Sequence, residues 1–282
     1  MRRIRLISVG HFIPLCLAAT VMAQAPPAET SIFPDKNLEA AVRKFVFDKR
    51  DNNKPLTEAD VVSLSTIQAN GAGITNLAGL EKCESLASLD LARNKIADLR
   101  PIQKLTRIQY LNLAQNQIED LAPLGGIIAL QYIELSANRV KDLRPLNSLT
   151  NLASLYLATN QVSDLTPILK LPRLTSLYLD ANRVKSIEGI NALKSLSTLS
   201  LNQNSVADLA PLQGLTGLYY LFLENNRIRD LTPLVEMARK DFEGEKRFAP
   251  FLNLYLKGNR LGFGSKGGQI ARLKEYGVRL SE

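Results

Sequence analysis

The side chains best suited to recognition or catalysis are aromatic and acidic residues that recur along the chain at related intervals. The aromatic residues are Tyr110, Tyr132, Tyr156, Tyr178, Tyr220, Phe222 and Tyr255, and the acidic residues are Asp90, Glu134, Asp180 and Glu224. Tyrosines bordered by carboxylates have the composition of a protein interface hot spot. The same rings could instead stack on sugars, and the carboxylates could serve as the acid and base of a glycosidase.

Catalysis is the weakest of these hypotheses. Carboxylates two repeats apart would be about 9–10 Å from each other at about 4.8 Å per strand, close to the separation in an inverting glycosidase. An open sheet, however, has no enclosed pocket that would raise the pKa of the acid. The only histidine, His11, lies in a predicted signal segment, so the mature chain has no histidine for a triad or a zinc site. We therefore expect no enzymatic activity, no cofactor and no bound metal.

Two roles for the tyrosines stay open. Tyrosine suits strands and packs on tyrosines of neighbouring strands, which would be a purely structural role. Against this, Leu, Ile and Val already fill the predicted core, so the rings are surplus to folding. On that view Tyr156→Ala and Tyr178→Ala would barely change stability but would weaken partner binding. We prefer a protein ligand to a glycan because the chain contains no tryptophan.

A repeat of 22 residues must position these side chains. It is marked by asparagines, which we call the ladder asparagines: Asn94, Asn116, Asn138, Asn160, Asn182, Asn204, Asn226 and, after an insertion, Asn259. Counted from each asparagine, apolar residues recur at −8, −5, −3, +2, +5, +8 and +11, which is the leucine-rich-repeat pattern. Positions −6 to −2 then form a short strand of a parallel sheet. The outward positions −6, −4 and −2 form its concave face, which carries all the aromatic and acidic residues named above.

Other positions of the repeat carry residues that are typical of turns or of solvent-exposed edges. Aspartate recurs at +4 and proline at +7, where the first caps turns and the second presets a tight convex turn. A calcium ladder is not expected, because calcium-binding repeats are glycine-rich with a nine-residue period. Basic residues at +1 and +3 form either a stripe that binds an anionic polymer or a solvent-exposed edge without a binding role. They are Lys95, Arg139, Arg183, Arg227, Arg260, Lys141, Lys185 and Arg229. Nucleic acid is not expected, because the aromatics lie among acids.

The first 63 residues differ from the repeat. Residues 1–23 combine Arg2, Arg3 and Arg5 with a short apolar run, which predicts a secretory signal cleaved before Gln24. The cut lowers the formal net charge from +8 to +5 and removes one of two cysteines. The other, Cys83, is expected to be a small core residue. Residues 24–31 read as a flexible leader. Residues 32–63 read as a helical N-terminal cap, with Asp35 as an N-cap.

The C-terminal part of the chain contains one departure from the repeat and one cap. We place the repeats at 64–262 and assign 235–250 as a charged, partly helical insertion on the convex side. Residues 263–282 are predicted to be a small α+β cap. Its helix ends at Gly277 and its last residues lie along the final coil.

The N-terminal motifs and the repeat together resemble internalin-type bacterial leucine-rich-repeat proteins over about residues 30–280. The residues that carry the resemblance are Asp35-x-x-Leu38-x-x-Ala41-Val42-Arg43, Leu56-Thr57-x-x-Asp60 and the frame Leu-x-x-Asn-x-Ile-x-Asp-Leu-x-Pro-Leu. The resemblance implies that the concave face binds a partner protein.

The fold expected is an α/β solenoid, a right-handed leucine-rich-repeat horseshoe with eight regular coils and a ninth after the insertion. We expect a non-catalytic, exported module that is secreted, periplasmic or cell-surface associated and binds a protein. A structural or envelope-assembly role and glycan binding are the alternatives. We expect a monomer without stable membrane insertion after signal cleavage.

Overall fold

One open sheet of ten parallel strands runs the length of the protein. The computed structural model describes residues 30–262 and 265–281, so the predicted signal at 1–23 and most of the leader lie outside the described residues. The strands are β1 (Thr66–Gln68), β2 (Ser88–Asp90), β3 (Tyr110–Asn112), β4 (Tyr132–Glu134), β5 (Ser154–Tyr156), β6 (Ser176–Tyr178), β7 (Thr198–Ser200), β8 (Tyr220–Phe222), β9 (Asn253–Tyr255) and β10 (Arg279–Ser281). Each of the first nine belongs to one coil, and consecutive strands are neighbours.

The strands are shorter than the sequence predicts. They cover positions −6 to −4, whereas the pattern predicts −6 to −2. Hydrogen bonds between coils nevertheless continue beyond them, because Leu91 N–H donates to the carbonyl of Asn112 at 2.8 Å and Arg93 N–H to that of Ala114 at 2.8 Å. The backbone then turns at position −1.

That turn uses a left-handed backbone conformation in every coil. The residue before each of the ladder asparagines from Asn94 to Asn226 has φ between 52° and 58° although none of these residues is glycine. These residues are Arg93, Gln115, Ala137, Thr159, Ala181, Gln203 and Asn225. Gly71 and Gly258 occupy the equivalent position in the first and last coils. A left-handed residue costs about 1–2 kcal/mol outside glycine, so other interactions must hold the turn in place.

The ladder asparagines supply those interactions. Asn160 accepts a hydrogen bond from Val140 N–H at 2.9 Å and donates to the carbonyls of Leu135 at 2.9 Å and Leu157 at 3.1 Å. Val140 and Leu135 belong to the preceding coil, so one side chain joins two coils. Asn94 repeats the pattern at the start of the solenoid and Asn259 at its end. The first coil has Ala72 at this position, which is tolerable because no coil precedes it.

The core is a single apolar column inside the coils. In the coil of Asn160, all seven inward positions are buried, from Leu152 through Val162 to Leu171. Successive coils stack these side chains without interruption from Phe33 to Val278. No coil could bury its apolar residues alone, and the stability of the fold therefore comes from contacts between neighbours.

Short 3-10 turns form the convex side. They are Leu80–Lys82, Arg100–Ile102, Ala122–Leu124, Arg144–Ser148, Thr166–Ile168, Ile190–Ala192, Ala210–Leu212 and Ala249–Phe251, and another, Phe47–Lys49, lies in the N-terminal region. Aspartates at +4 cap these turns, as Asp120 does by accepting from Ala122 N–H at 2.8 Å.

Two helices cover the N-terminal end of the core, α1 (Lys36–Arg43) and α2 (Glu58–Val61). Asp35 is the N-cap of α1 and accepts from the N–H groups of Asn37 and Leu38. Its other oxygen accepts from the N–H groups of Thr75 at 2.8 Å and Asn76 at 3.0 Å, in the first coil. One carboxylate therefore both starts α1 and attaches it to the solenoid.

At the C-terminal end, the insertion forms a helix, α3 (Thr232–Glu243), where the other coils have a 3-10 turn. Asp241 closes the following bend by accepting from the N–H groups of Arg247, Phe248 and Ala249. A π-helical turn (Ser265–Gln269) leads into α4 (Ile270–Glu275), and β10 then pairs in parallel with β9.

Replacing a ladder asparagine should destabilise the solenoid. We expect Asn160→Ala to lower the free energy of unfolding by about 1–3 kcal/mol, because buried backbone groups of two coils lose their partners. The neighbouring Gln161→Ala should cost less than about 0.5 kcal/mol, because its side chain fills no comparable role. Chemical denaturation of both variants measures the difference, and equal costs would contradict the structural role of the asparagine.

Asp35 should make stability depend on pH. Burial by itself would raise the pKa of Asp35, but the hydrogen bonds from Thr75, Asn76 and Leu38 outweigh it and hold the pKa below its usual value of 3.8. The stabilisation is therefore present above that value and is lost as the pH falls through the folded-state pKa. Asp35→Asn should cost about 1–2 kcal/mol at neutral pH.

The cost of Asp35→Asn should shrink as the pH falls below about 3.8. Thermal melts across the acid range, with exposed Asp48→Asn as the control, measure this dependence. A cost that stayed constant with pH would show that the charge of Asp35 contributes nothing.

Candidate partner-binding face

The outward strand positions form two parallel columns across the concave face. Strand pairing is in register throughout, so residues at −6 align with one another and those at −4 do the same. Tyr110 and Tyr132 stand in the −6 column, whereas Tyr156 and Tyr178 stand in the −4 column. The aromatic residues therefore cross from one column to the other between β4 and β5.

Four of the predicted tyrosines form a continuous row, which we call the tyrosine row: Tyr110, Tyr132, Tyr156 and Tyr178. Successive ring centroids are 4.6, 5.2 and 4.7 Å apart. The first and last pairs are nearly parallel, at 13° and 11°, and the middle pair is tilted by 40°. All four side chains are partly buried. Ring faces are thus largely covered by neighbouring rings, and the edges and hydroxyl groups are what remains for a partner.

The three remaining aromatic residues form a separate group on β8 and β9. Phe222 stacks on Tyr255 at 4.5 Å, and Tyr220 lies 6.2 Å from Phe222. Strand β7 separates this group from the tyrosine row, because it carries Thr198 and Ser200 in the two columns. The predicted aromatic surface is therefore two clusters rather than one.

The stacking favours the alternative in which the tyrosines of the row also have a structural role, because each ring packs on the next. Stacked aromatic pairs contribute about 0.5–1.5 kcal/mol beyond their burial. The same rings therefore take part in the fold and in the exposed surface.

The carboxylates border these rings and have partners of their own. Asp90 accepts from Ala92 N–H at 3.0 Å and Glu134 from Ser136 N–H at 2.7 Å. Asp180 accepts from the hydroxyl of Ser200 at 2.6 Å and from Asn202 N–H at 2.9 Å. Each of these three residues uses one oxygen in this way. Among the described residues, no hydrogen bond reaches the second oxygen.

Three phenol groups of the row, those of Tyr110, Tyr132 and Tyr156, have raised pKa values. Burial raises the pKa of Tyr132 above its usual value, and repulsion by Glu134 adds to the effect. Burial likewise raises the pKa values of Tyr110 and Tyr156. At neutral pH these hydroxyl groups can therefore act as hydrogen-bond donors.

The repeat pattern in the sequence did not predict two exposed aromatic residues that lie next to the aromatic group on β8 and β9. Tyr219 is 49% exposed and Phe251 is 48% exposed, and their rings meet edge to face at 6.2 Å. Phe251 occupies position −8, which is apolar and buried in the regular coils. After the insertion the frame slips by one residue, and Leu252 takes the buried place. The sequence contains a sign of this shift, because two apolar residues, Phe251 and Leu252, follow Pro250 where the repeat needs only one buried residue.

Other candidate chemistry is weak in the described residues. Cys83 is fully buried, and this burial raises the pKa of its thiol to about 12, so it is no nucleophile. No group of three potential metal ligands occurs within residues 30–262 and 265–281. A groove of about 480 Å³ lies beside α3, lined by residues of both charges such as Lys240 and Glu245. In the same ranges, every helix is too short or too polar to cross a membrane.

Comparisons with known proteins agree with this architecture. Residues 84–126, 128–170, 172–212 and 194–236 match the family described as Leucine Rich repeats (2 copies). A crystal structure of the Listeria monocytogenes internalin InlF has a TM-score of 0.75 at 29% identity and covers 88% of this chain and 68% of that one. Internalin C2 from the same species has a TM-score of 0.70 at 31% identity, covering 76% of this chain and 96% of that one.

A more distant likeness is one of fold alone. The leucine-rich-repeat ectodomain of the Arabidopsis thaliana receptor kinase GASSHO1/SCHENGEN3 was solved in complex with CASPARIAN STRIP INTEGRITY FACTOR 2. It has a TM-score of 0.56 at 23% identity and covers 70% of this chain and 24% of that one. A search of the curated proteins finds no match.

The chain belongs to the leucine-rich-repeat family, a class of protein-interaction modules. Within that class it is an internalin-like protein, as the likeness to InlF and internalin C2 shows.

The tyrosine row should contribute measurably to stability. Tyr132 has a ring partner on each side, so Tyr132→Ala should cost about 1–3 kcal/mol, whereas Tyr132→Phe keeps both contacts and should cost less than about 0.5 kcal/mol. Chemical denaturation of the two variants separates the ring from its hydroxyl group. Wild-type stability in the alanine variant would show that the stacking is incidental.

Proposed function

We propose that this protein is an exported, non-catalytic module that binds a protein partner on its concave face. The observation that supports this most is the tyrosine row, which spans four consecutive coils outside the core. Tyrosine combines an apolar body with a polar tip, which suits a surface that is dry when bound and wet when free. A concave sheet of stacked repeats also offers an extended surface to a partner.

The ring geometry favours protein over glycan. Sugars stack on open ring faces, but both faces of Tyr132 and Tyr156 and one face each of Tyr110 and Tyr178 lie against neighbouring rings at 4.6–5.2 Å. The outward edges and hydroxyl groups are better matched to backbone amides and side chains of a protein. Carboxylates beside the rings add directional acceptors, which favour register and specificity over raw affinity.

A binding experiment with matched variants tests the proposal. Wild-type protein, Tyr156→Ala and Tyr178→Ala would be immobilised and exposed to secreted and envelope fractions of the native host. Any captured protein would then be purified and titrated. Each alanine variant should weaken binding by about 2 kcal/mol, or roughly 30-fold, if these rings are central anchors.

Two controls make the result interpretable. Tyr276→Ala removes a tyrosine that lies off the concave face against Phe242, and it should leave the affinity unchanged. Circular dichroism melts verify that every variant is folded at the assay temperature. Unchanged affinity in Tyr156→Ala and Tyr178→Ala, with loss in other variants, would move the interface away from the concave face.

Export rests on residues 1–23 and is tested separately. Mature protein purified from its native host should begin near Gln24 when its N-terminus is sequenced. Intact Met1 on protein from the cytosol would contradict export.

A further inference from the structure

Charge on the concave face is segregated from charge elsewhere. The whole chain has a formal net charge of +8. Yet positions −6, −4 and −2 of the first eight coils contain four acids, Asp90, Glu134, Asp180 and Glu224, and neither lysine nor arginine. Bases reappear in these columns only at Lys257 and Arg279, at the C-terminal end. We call the four carboxylates and the outward positions between them the acidic strip.

The four acids are divided between two columns, with Asp180 and Glu224 at position −2. All of them lie in alternate coils, those of Asn94, Asn138, Asn182 and Asn226. Asp90 and Glu134 both stand in the −4 column, with Asn112 between them in the paired strands. At about 4.8 Å per strand, adjacent carboxylates of a column are about 9.6 Å apart.

The acids are not neutralised within the protein. None of the four forms an ion pair with a described residue, although ten ion pairs occur elsewhere in the described chain. Glu134 aligns with Tyr156 on the next strand, so its charge lies beside partly buried rings. An ion pair formed there would be stronger than one in open water, because the rings exclude solvent.

Bases border the strip just beyond the strand ends. Arg139, Lys141, Arg183 and Lys185 are exposed, and their side chains form no ion pair with described residues. They occur in the same alternate coils as the acids. A cationic ligand would be attracted to the strip and repelled from this edge, which would align it along the solenoid axis.

We infer that the concave face binds an extended, cationic segment of a partner protein that runs across the strands, with a base at about every third residue. In the extended polyproline II conformation a chain has three residues per turn and advances about 3.1 Å per residue, so every third side chain lies on one face and successive ones are about 9.3 Å apart, close to the spacing of the carboxylates within each column. Arginine suits these sites because its guanidinium binds a carboxylate through two hydrogen bonds and stacks on aromatic rings. The inference rests on the proposed function and specifies the chemistry of its partner.

Synthetic peptides of defined spacing provide the test. The probe is a fluorescein-labelled dodecapeptide with the repeat Arg-Ser-Ala. One control has the same composition with its four arginines consecutive, and another has glutamate in place of arginine. Anisotropy titrations with the full chain would be run at low and moderate salt. We expect the spaced peptide to bind at least fivefold more tightly than the clustered one, and the acidic peptide not to bind.

Matched charge variants locate the site. Glu134→Gln combined with Glu224→Gln keeps the side-chain shape and should weaken binding of the spaced peptide at least tenfold. Glu119→Gln combined with Glu188→Gln makes the same change of charge at exposed acids off the concave face, and it should alter the affinity less than twofold. A protein of net positive charge would otherwise repel the probe, so binding that needs Glu134 and Glu224 is specific.

The outcomes separate this inference from the proposed function. Absent binding of the spaced peptide, or binding unaffected by the Glu134 and Glu224 changes, would overturn the inference. If a captured partner still depends on Tyr156 and Tyr178, the proposed function holds even though the inference about a cationic segment fails. If neither the peptides nor a captured partner depends on these residues, both fail. Sedimentation of the wild type as a dimer that Glu134→Gln dissociates would identify the occupant as a second copy, and it would also overturn the inference.

Discussion

Every coil after the first depends on the hydrogen bonds of its ladder asparagine. The amide reaches across to the preceding coil and satisfies one N–H and one carbonyl there, while it also binds a carbonyl of its own turn. Without it, backbone groups would be buried unpaired at each bend, where the preceding residue is already in a left-handed conformation. The side chain must be short and must both donate and accept. Asparagine meets these requirements, and the variable residue at −1 is tolerated because the asparagine holds the turn.

The ladder also explains why the tyrosines stack. Because each asparagine joins its coil to the one before at a fixed offset, equivalent strand positions align and lie about 4.8 Å apart. Flat side chains in one column then meet at stacking distance, and the centroids of the tyrosine row are 4.6–5.2 Å apart. Stacking in turn hides the ring faces. The row therefore presents ring edges and hydroxyl groups outward, which differs chemically from a set of isolated tyrosines.

The placement of charge, in contrast, is independent of the fold. Nothing in the hydrogen bonding of the solenoid requires acids on the concave face or bases beyond the strand ends, since other coils carry uncharged residues at the same positions, such as Asn112, Ser200 and Gln161. Asp35 and Asp241 are different, because their carboxylates accept several hydrogen bonds from backbone N–H groups and so stabilise the fold. Asp90, Glu134 and Asp180 instead each use only one carboxylate oxygen in hydrogen bonds with described residues.

The sequence by itself determines the repeat, the inward residues of the coils before the insertion, the ladder asparagines and the N-cap at Asp35, because these depend on local spacing and residue type. It also indicates a helix in the insertion and assigns the tyrosines and acids to one face. Tertiary structure decides the rest. The crossing of the tyrosine row between columns, its break at β7, the slip at Phe251 and the use of one oxygen of Glu134 all depend on side-chain conformations and on contacts between coils. A one-dimensional pattern determines which way a side chain points, but only packing determines what it touches.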